Sequence, residues 1–233
     1  MFFYWSDIMV KNPFKTLTKF ELFLWLTSVL VISVSSLFGG QQGFLATISS
    51  LLGVTALIFI SKGMVVGQFF IIAFALLYGI ASCQVKYYGE MITYVGMSLP
   101  MAVVSAVSWL RHPHKDSDRV EIAKMTPCKT AVMITATVLV TVAFYFILEA
   151  LDTARLLIST LSVSTSFVAA SFTFFRSPYY AAAYAVNDIV LIVLWTIACF
   201  EDISNLSLVL CFVMFLFNDI YGFYNWKKMQ KQQ

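Results

Sequence analysis

Two Asn-Asp pairs sit inside apolar runs long enough to cross a bilayer: Asn187-Asp188 within 179–195, and Asn218-Asp219 in the last run. A carboxylate near the middle of a membrane helix costs roughly 2.5–3.5 kcal/mol on insertion scales, so it faces a protein-lined cavity and marks a functional site by default. Asn187 and Trp195 are eight residues apart and share a helical face with Leu191 between them. An amide below an indole makes a cradle for a flat, hydrogen-bonding ligand. The alternative is that Asn187 or Asp188 bridges helices, through bonds averaging about 0.6 kcal/mol; from sequence alone both readings stand. In the last run Asn218, Tyr221 and Asn225 follow the i, i+3, i+7 spacing of one face. Asn218 and Tyr221 are pathway candidates, whereas Tyr224 and Trp226 read as interface anchors beside Lys227 and Lys228. Asp219 either pairs with a neighbouring helix or caps the pathway.

Earlier in the chain the polar candidates are Gln68, Tyr78, Gln84, Tyr87, Tyr88, Glu90 and Tyr94. Gln84, Tyr87 and Tyr88 form either an outer vestibule or a solvated helix end. No Lys lies deep in a crossing, which removes a Schiff-base chromophore. The chain has no phosphate-binding glycine loop, no nucleophile elbow and no HExxH, and both histidines fall in one polar connection. Cys83, Cys128, Cys199 and Cys211 are scattered and read as apolar filler, so no metal site is signalled. No cofactor and no nucleic-acid partner is implied. Aromatics plus amides suit a neutral or singly cationic organic solute.

The elements that must position these residues follow from composition. With 60% hydrophobic and 12% charged residues in 233, against about 25% charged in a globular domain, the chain is an all-α polytopic membrane protein. Taking about 20 apolar residues per crossing, eight segments fall at roughly 20–38, 44–61, 66–85, 90–110, 129–148, 155–175, 179–199 and 203–226. Breakers separate them: Gly39 to Gly43, Lys62-Gly63, and Arg176-Ser177-Pro178. Pro100 weakens the fourth helix. With eight crossings, thirteen of the fifteen basic residues fall on one side, leaving only Lys86 and Arg155 on the other. Cytoplasmic loops carry the Lys/Arg excess, so both termini are expected inside. Trp25, Trp109 and Trp226 then fall near inner helix ends as an interfacial belt.

Sliding the chain against itself by 110 residues aligns Ser49, Leu51 and Thr55 with Ser159, Leu161 and Thr165. The same shift aligns Phe69-Phe70 and Ala73-Phe74-Ala75 with Tyr179-Tyr180 and Ala183-Tyr184-Ala185. A shift of four crossings gives two parallel three-helix bundles joined by a linking helix. The resulting organisation is an N-terminal segment with one extra helix (1–43), a first bundle (44–110), a loop and linking helix (111–150), a second bundle (151–228) and a tail (229–233). Transporters built from such repeats hold substrate near the midplane at the repeat interface.

The pattern Arg176, Tyr179-Tyr180, Asn187-Asp188 and Trp195, the terminal run 218–226 and the Tyr87-Tyr88-Gly89-Glu90 turn resemble the PnuC family of bacterial vitamin transporters, most specifically its nicotinamide riboside members. Related members carry thiamine or riboflavin. The resemblance covers about 45–228. It implies facilitated diffusion of an unphosphorylated vitamin across the bacterial inner membrane, trapped by a cytoplasmic kinase. It also implies kinship to the SWEET sugar transporters and a homotrimer. Carried onto this chain, it implies substrate contacts from Asn187, Trp195, Asn218 and Tyr221, with Gln68, Gln84 and Glu90 on the opposing bundle; Asp188 is a further substrate-binding candidate from its place in the apolar run. A membrane receptor that binds a vitamin without moving it is the alternative of a different class.

Overall fold

A membrane interior leaves no water to satisfy backbone groups, so the apolar runs have only the helix open to them. The computed structural model describes residues 12–38, 44–84, 88–115 and 117–233. Eight long helices carry most of these: α1 (Lys19–Phe38), α2 (Phe44–Ser61), α3 (Val66–Gln84), α4 (Tyr88–Arg111), α5 (Pro127–Ala150), α6 (Leu156–Phe174), α7 (Tyr180–Cys199) and α8 (Leu206–Gln232). They follow the eight expected segments, with α8 running on past 226. The breaker at 39–43, Lys86 and Tyr87 lie outside the described residues.

Among the described residues, α1 and α3 to α8 are long and apolar enough to cross a membrane. Helix α2, 18 residues of mostly apolar side chains, is the most enclosed: Val54, Ala56, Ile58 and Phe59 are wholly buried, against α1, α3 and α8. Helices α2, α3 and α4 pack together, as do α6, α7 and α8; α2 against α8 and α4 against α6 join the two groups. Helix α5 rests on α6, and α1 lies across α2 and α8. At Gly67 a Cβ would stand 2.8 Å from the Ile60 amide nitrogen and 2.9 Å from the Ala56 carbonyl oxygen. Only glycine lets α3 leave α2 so closely.

Helix α4 is not regular. Thr93–Ser98 is π-helical and is followed by Leu99 and Pro100. Proline removes one N–H from the ladder and crowds the preceding turn, and single π turns inside α-helices recur at functional sites.

Helix α1 begins in a reciprocal cap. The Thr18 N–H donates to Glu21 Oε2 at 2.6 Å while the Glu21 N–H donates to Thr18 Oγ1 at 3.2 Å, the Ser/Thr-x-x-Glu arrangement that satisfies two free amides at once. The same carboxylate is buried against Lys62, whose Nζ lies 2.9 Å from Oε2 and 3.1 Å from Oε1. Lys62 also donates to the Thr16 carbonyl at 3.0 Å. The spacing of Lys62 suggests a solvated connection; with Glu21 against it, the ammonium is buried instead.

At the end of the molecule bearing Lys62, Arg111, Arg176 and Lys227, two matched clasps tie the halves together. Ser108 Oγ and Trp109 Nε1 on α4 donate to the Phe174 and Thr173 carbonyls of α6, both at 2.9 Å. Asn225 Nδ2 and Trp226 Nε1 on α8 donate to the Ser61 and Ile60 carbonyls of α2, both at 2.8 Å. Each adjacent pair thus holds the final carbonyls of a helix in the other half. The indoles meet at 5.4 Å, with Tyr180 4.6 Å from Trp226. The loop after α4 covers this plug, the Val120 N–H donating to the Gly63 carbonyl at 2.8 Å and the Ala123 N–H to the Arg176 carbonyl at 3.0 Å. Trp109 and Trp226 are therefore not belt residues facing lipid headgroups; they are 2% and 0% exposed, because their N–H groups find carbonyl partners across the bundle junction. Tyr224 remains exposed. At the opposite end Arg155 pairs with Glu201 at 2.6 Å.

Candidate functional site

Between the two halves lies a cavity of about 90 Å³ to which all six of their helices contribute. Its apolar wall includes Leu57, Ile71, Met101, Leu191 and Phe212; its polar groups include Gln68, Tyr94, Ser105, Tyr184, Asn187, Asp188 and Asp219. No Lys, Arg or His is among the lining residues. The internal repeat is visible in the wall. Ile60 and Ala170, Phe74 and Tyr184, Ala102 and Phe212, and Ser105 and Phe215 all line it, and each pair is 110 residues apart. Two copies of one three-helix unit therefore present equivalent positions to the same space.

Three of the expected site residues face this cavity: Asn187 and Asp188 from α7, and Gln68 from α3. The Asn187 amide oxygen accepts from the Thr165 hydroxyl at 2.8 Å. That contact fixes the amide, and Thr165 is a positioning residue that a search for polar residues in apolar runs passes over. Asp188 and Asp219 of α8 both line the cavity, and both side chains are buried. Asp219 is thus the member of the second Asn-Asp pair that reaches the cavity. Two buried polar atoms of the lining take no hydrogen bond from the described residues: Gln68 Nε2 and Asp188 Oδ2.

Glu90 stands one step back. The Tyr78 hydroxyl donates to its Oε2 at 2.8 Å, and the Tyr78 ring lies 4.5 Å from that of Tyr94, which lines the cavity from the π-helical turn. The other four expected residues lie elsewhere. Trp195 is on the Asn187 stripe but packs among Leu191, Leu194, Ala198, Leu208 and Phe212. Asn218 donates to Ser28 Oγ of α1 at 3.0 Å and to the Met214 carbonyl at 2.8 Å. The Tyr221 hydroxyl donates to Glu21 Oε1 at 2.7 Å. Gln84 is exposed at the end of α3. Asn218 and Tyr221 share a face, as their spacing requires, and α1 covers that face. The neighbouring stripe, Phe212, Phe215 and Asp219, faces the cavity.

Residues 43–228 match the family described as nicotinamide mononucleotide transporter. The chain belongs to this family, the PnuC transporters. Among PnuC relatives, the nicotinamide riboside transporter PnuC of Neisseria mucosa is 27% identical over 220 residues, covering 92% of this chain and 83% of the relative. The nicotinamide riboside transporter PnuC of Haemophilus influenzae is 24% identical over 213 residues, covering 90% of each. A crystal structure of the vitamin B3 transporter PnuC superposes with a TM-score of 0.77 at 25% identity, covering 98% of this chain and 97% of that one. The matched proteins are transporters by name, not enzymes, and this PnuC member is a multi-pass membrane transporter.

Proposed function

We propose that this chain carries nicotinamide riboside across the bacterial inner membrane by facilitated diffusion with alternating access. The observation that supports this most is a cavity at the repeat interface, lined by amide, phenol and carboxyl groups and by no basic residue, in a chain whose relatives are nicotinamide riboside transporters. The pyridinium ring of the riboside is a cation. Tyr94, Tyr184 and Phe74 offer it aromatic faces, each such contact contributing about 0.5–2 kcal/mol; Asp188 and Asp219 offer it negative charge. The Asn187 amide both donates and accepts, which suits ribose hydroxyls.

At about 90 Å³ the space is below the roughly 300–1,000 Å³ of sites that enclose a drug-sized ligand. A nucleoside enters only when the two halves part. The four hydrogen bonds of the matched clasps, with the Trp109, Trp226 and Tyr180 rings, form the gate at the basic end in this proposal. By the positive-inside rule that end and both termini are cytoplasmic. Phosphorylation inside the cell then traps the product, because a cavity with carboxyls and no cation does not readmit a phosphate. The homotrimer and the SWEET kinship implied by the family resemblance complete the proposal.

The test is uptake of radiolabelled nicotinamide riboside into proteoliposomes holding only this protein, without ATP or an ion gradient. Saturable equilibration is expected. Saturable binding without uptake would favour a receptor, and absence of both would overturn the reading; preferential uptake of thiamine or riboflavin would reassign the vitamin.

A further inference from the structure

The two unpartnered atoms of the cavity wall are complementary. Gln68 Nε2 is a donor and Asp188 Oδ2 an acceptor; they come from α3 and α7, in opposite halves, and their residues are 2% and 3% exposed. A buried polar group without a partner costs free energy comparable to a lost hydrogen bond, and more when it is charged. Native structures keep few such groups, and each one calls for an explanation. Asp219 lines the same side of the cavity and brings a second carboxyl to it.

A primary carboxamide satisfies both ends. Its carbonyl oxygen accepts one hydrogen bond, and its NH2 group donates two. We propose that Gln68 and the Asp188–Asp219 pair form the specificity subsite for a ring-borne primary carboxamide, Gln68 Nε2 donating to its carbonyl and Asp188 Oδ2 accepting from its NH2. This rests on the transport reading above and adds to it the group by which the substrate is recognised. A carboxylate in place of the amide brings two acceptors and a negative charge against Asp188 and Asp219. A methyl ketone keeps the carbonyl and the pyridinium charge but has no N–H to give. A site built to hydrogen-bond a substrate group rejects analogues lacking it far more strongly than an apolar pocket rejects a missing methylene.

The experiment is calorimetric titration of the purified full-length protein with nicotinamide riboside, 3-acetylpyridine riboside and nicotinic acid riboside. The methyl ketone has the same charge and almost the same shape as the amide, so it isolates the N–H contact. It is expected to bind at least about 10-fold more weakly, the scale of one charge-assisted hydrogen bond, with the acid weaker still. In Asp188→Leu the amide and the ketone are expected to bind alike. Equal affinity of the two in the wild-type protein overturns the subsite and leaves the transport reading in place. Failure of the amide riboside itself to bind overturns both.

Discussion

Glu21→Leu is expected to lower the unfolding free energy by about 3–5 kcal/mol, the cost of removing one partner from a buried ion pair and stranding the other charge. Glu21 is 2% exposed and Lys62 4%. One carboxylate holds three chain segments: it caps its own helix through Thr18, takes both oxygens to Lys62 at the end of α2, and accepts the Tyr221 hydroxyl of α8 at 2.7 Å. Without it the Lys62 ammonium keeps only the Thr16 carbonyl. The double variant Glu21→Leu/Lys62→Met removes both charges and is expected to recover most of the loss, since replacing a whole buried pair by apolar groups is near neutral or stabilising. Unfolding of purified protein in detergent measures both. A single-variant loss under 1 kcal/mol would mean that water reaches the pair.

The family description names the mononucleotide, whereas the curated relatives are named for the riboside; the two solutes differ by one phosphoryl group. Burying an unpaired ion costs several kcal/mol even after the protein relaxes, and every 1.4 kcal/mol is tenfold in affinity. The cavity holds Asp188 and Asp219 and no Lys, Arg or His among its lining residues. Nicotinamide mononucleotide is therefore expected to bind on the order of 10³-fold more weakly than the riboside in a competition titration. Affinities within tenfold of each other would require a cation that reaches the phosphate and would remove the basis for trapping by phosphorylation.

Much of the fold was legible because the membrane simplifies the code. Apolar runs of crossing length can only be helices, and the Lys/Arg count made the number even. The repeat was readable as aligned residues, and the cavity wall shows its spatial meaning in pairs such as Phe74 with Tyr184. The site was legible in part. Asn187, Asp188 and Gln68 drew notice as polar groups in apolar runs, and they line the cavity. Helix α8 was harder, because Asn218 and Asp219 are adjacent and about 100° apart on the helix. Period alone grouped Asn218 with Tyr221 and Asn225, but it does not say which face the extra helix α1 covers. Ser28 and Glu21 on α1 take Asn218 and Tyr221, and Asp219 is left for the cavity. Thr18-Lys19-Phe20-Glu21 did carry a local sign, the capping-box spacing. Its partner Lys62 is 41 residues away, and no local rule joins them. Trp109 and Trp226 looked like belt residues because helix ends usually meet headgroups; only the packed halves show that carbonyls of α6 and α2 wait for their N–H groups.

If the riboside binds in the cavity between the two halves, Asn187→Leu must weaken its binding. Leu keeps the branched outline of Asn while removing the amide that Thr165 orients. Asn218→Leu is the companion, a similar change on a residue whose amide bonds Ser28 rather than lining the cavity. In titrations of folded, purified protein, Asn187→Leu is expected to weaken nicotinamide riboside binding at least about 10-fold, the cost of a lost hydrogen bond with its partner group left unsatisfied, while Asn218→Leu stays within about twofold of wild type. Unchanged affinity in Asn187→Leu, together with a large loss in Asn218→Leu, would contradict the account and move the binding site to the α1–α8 face.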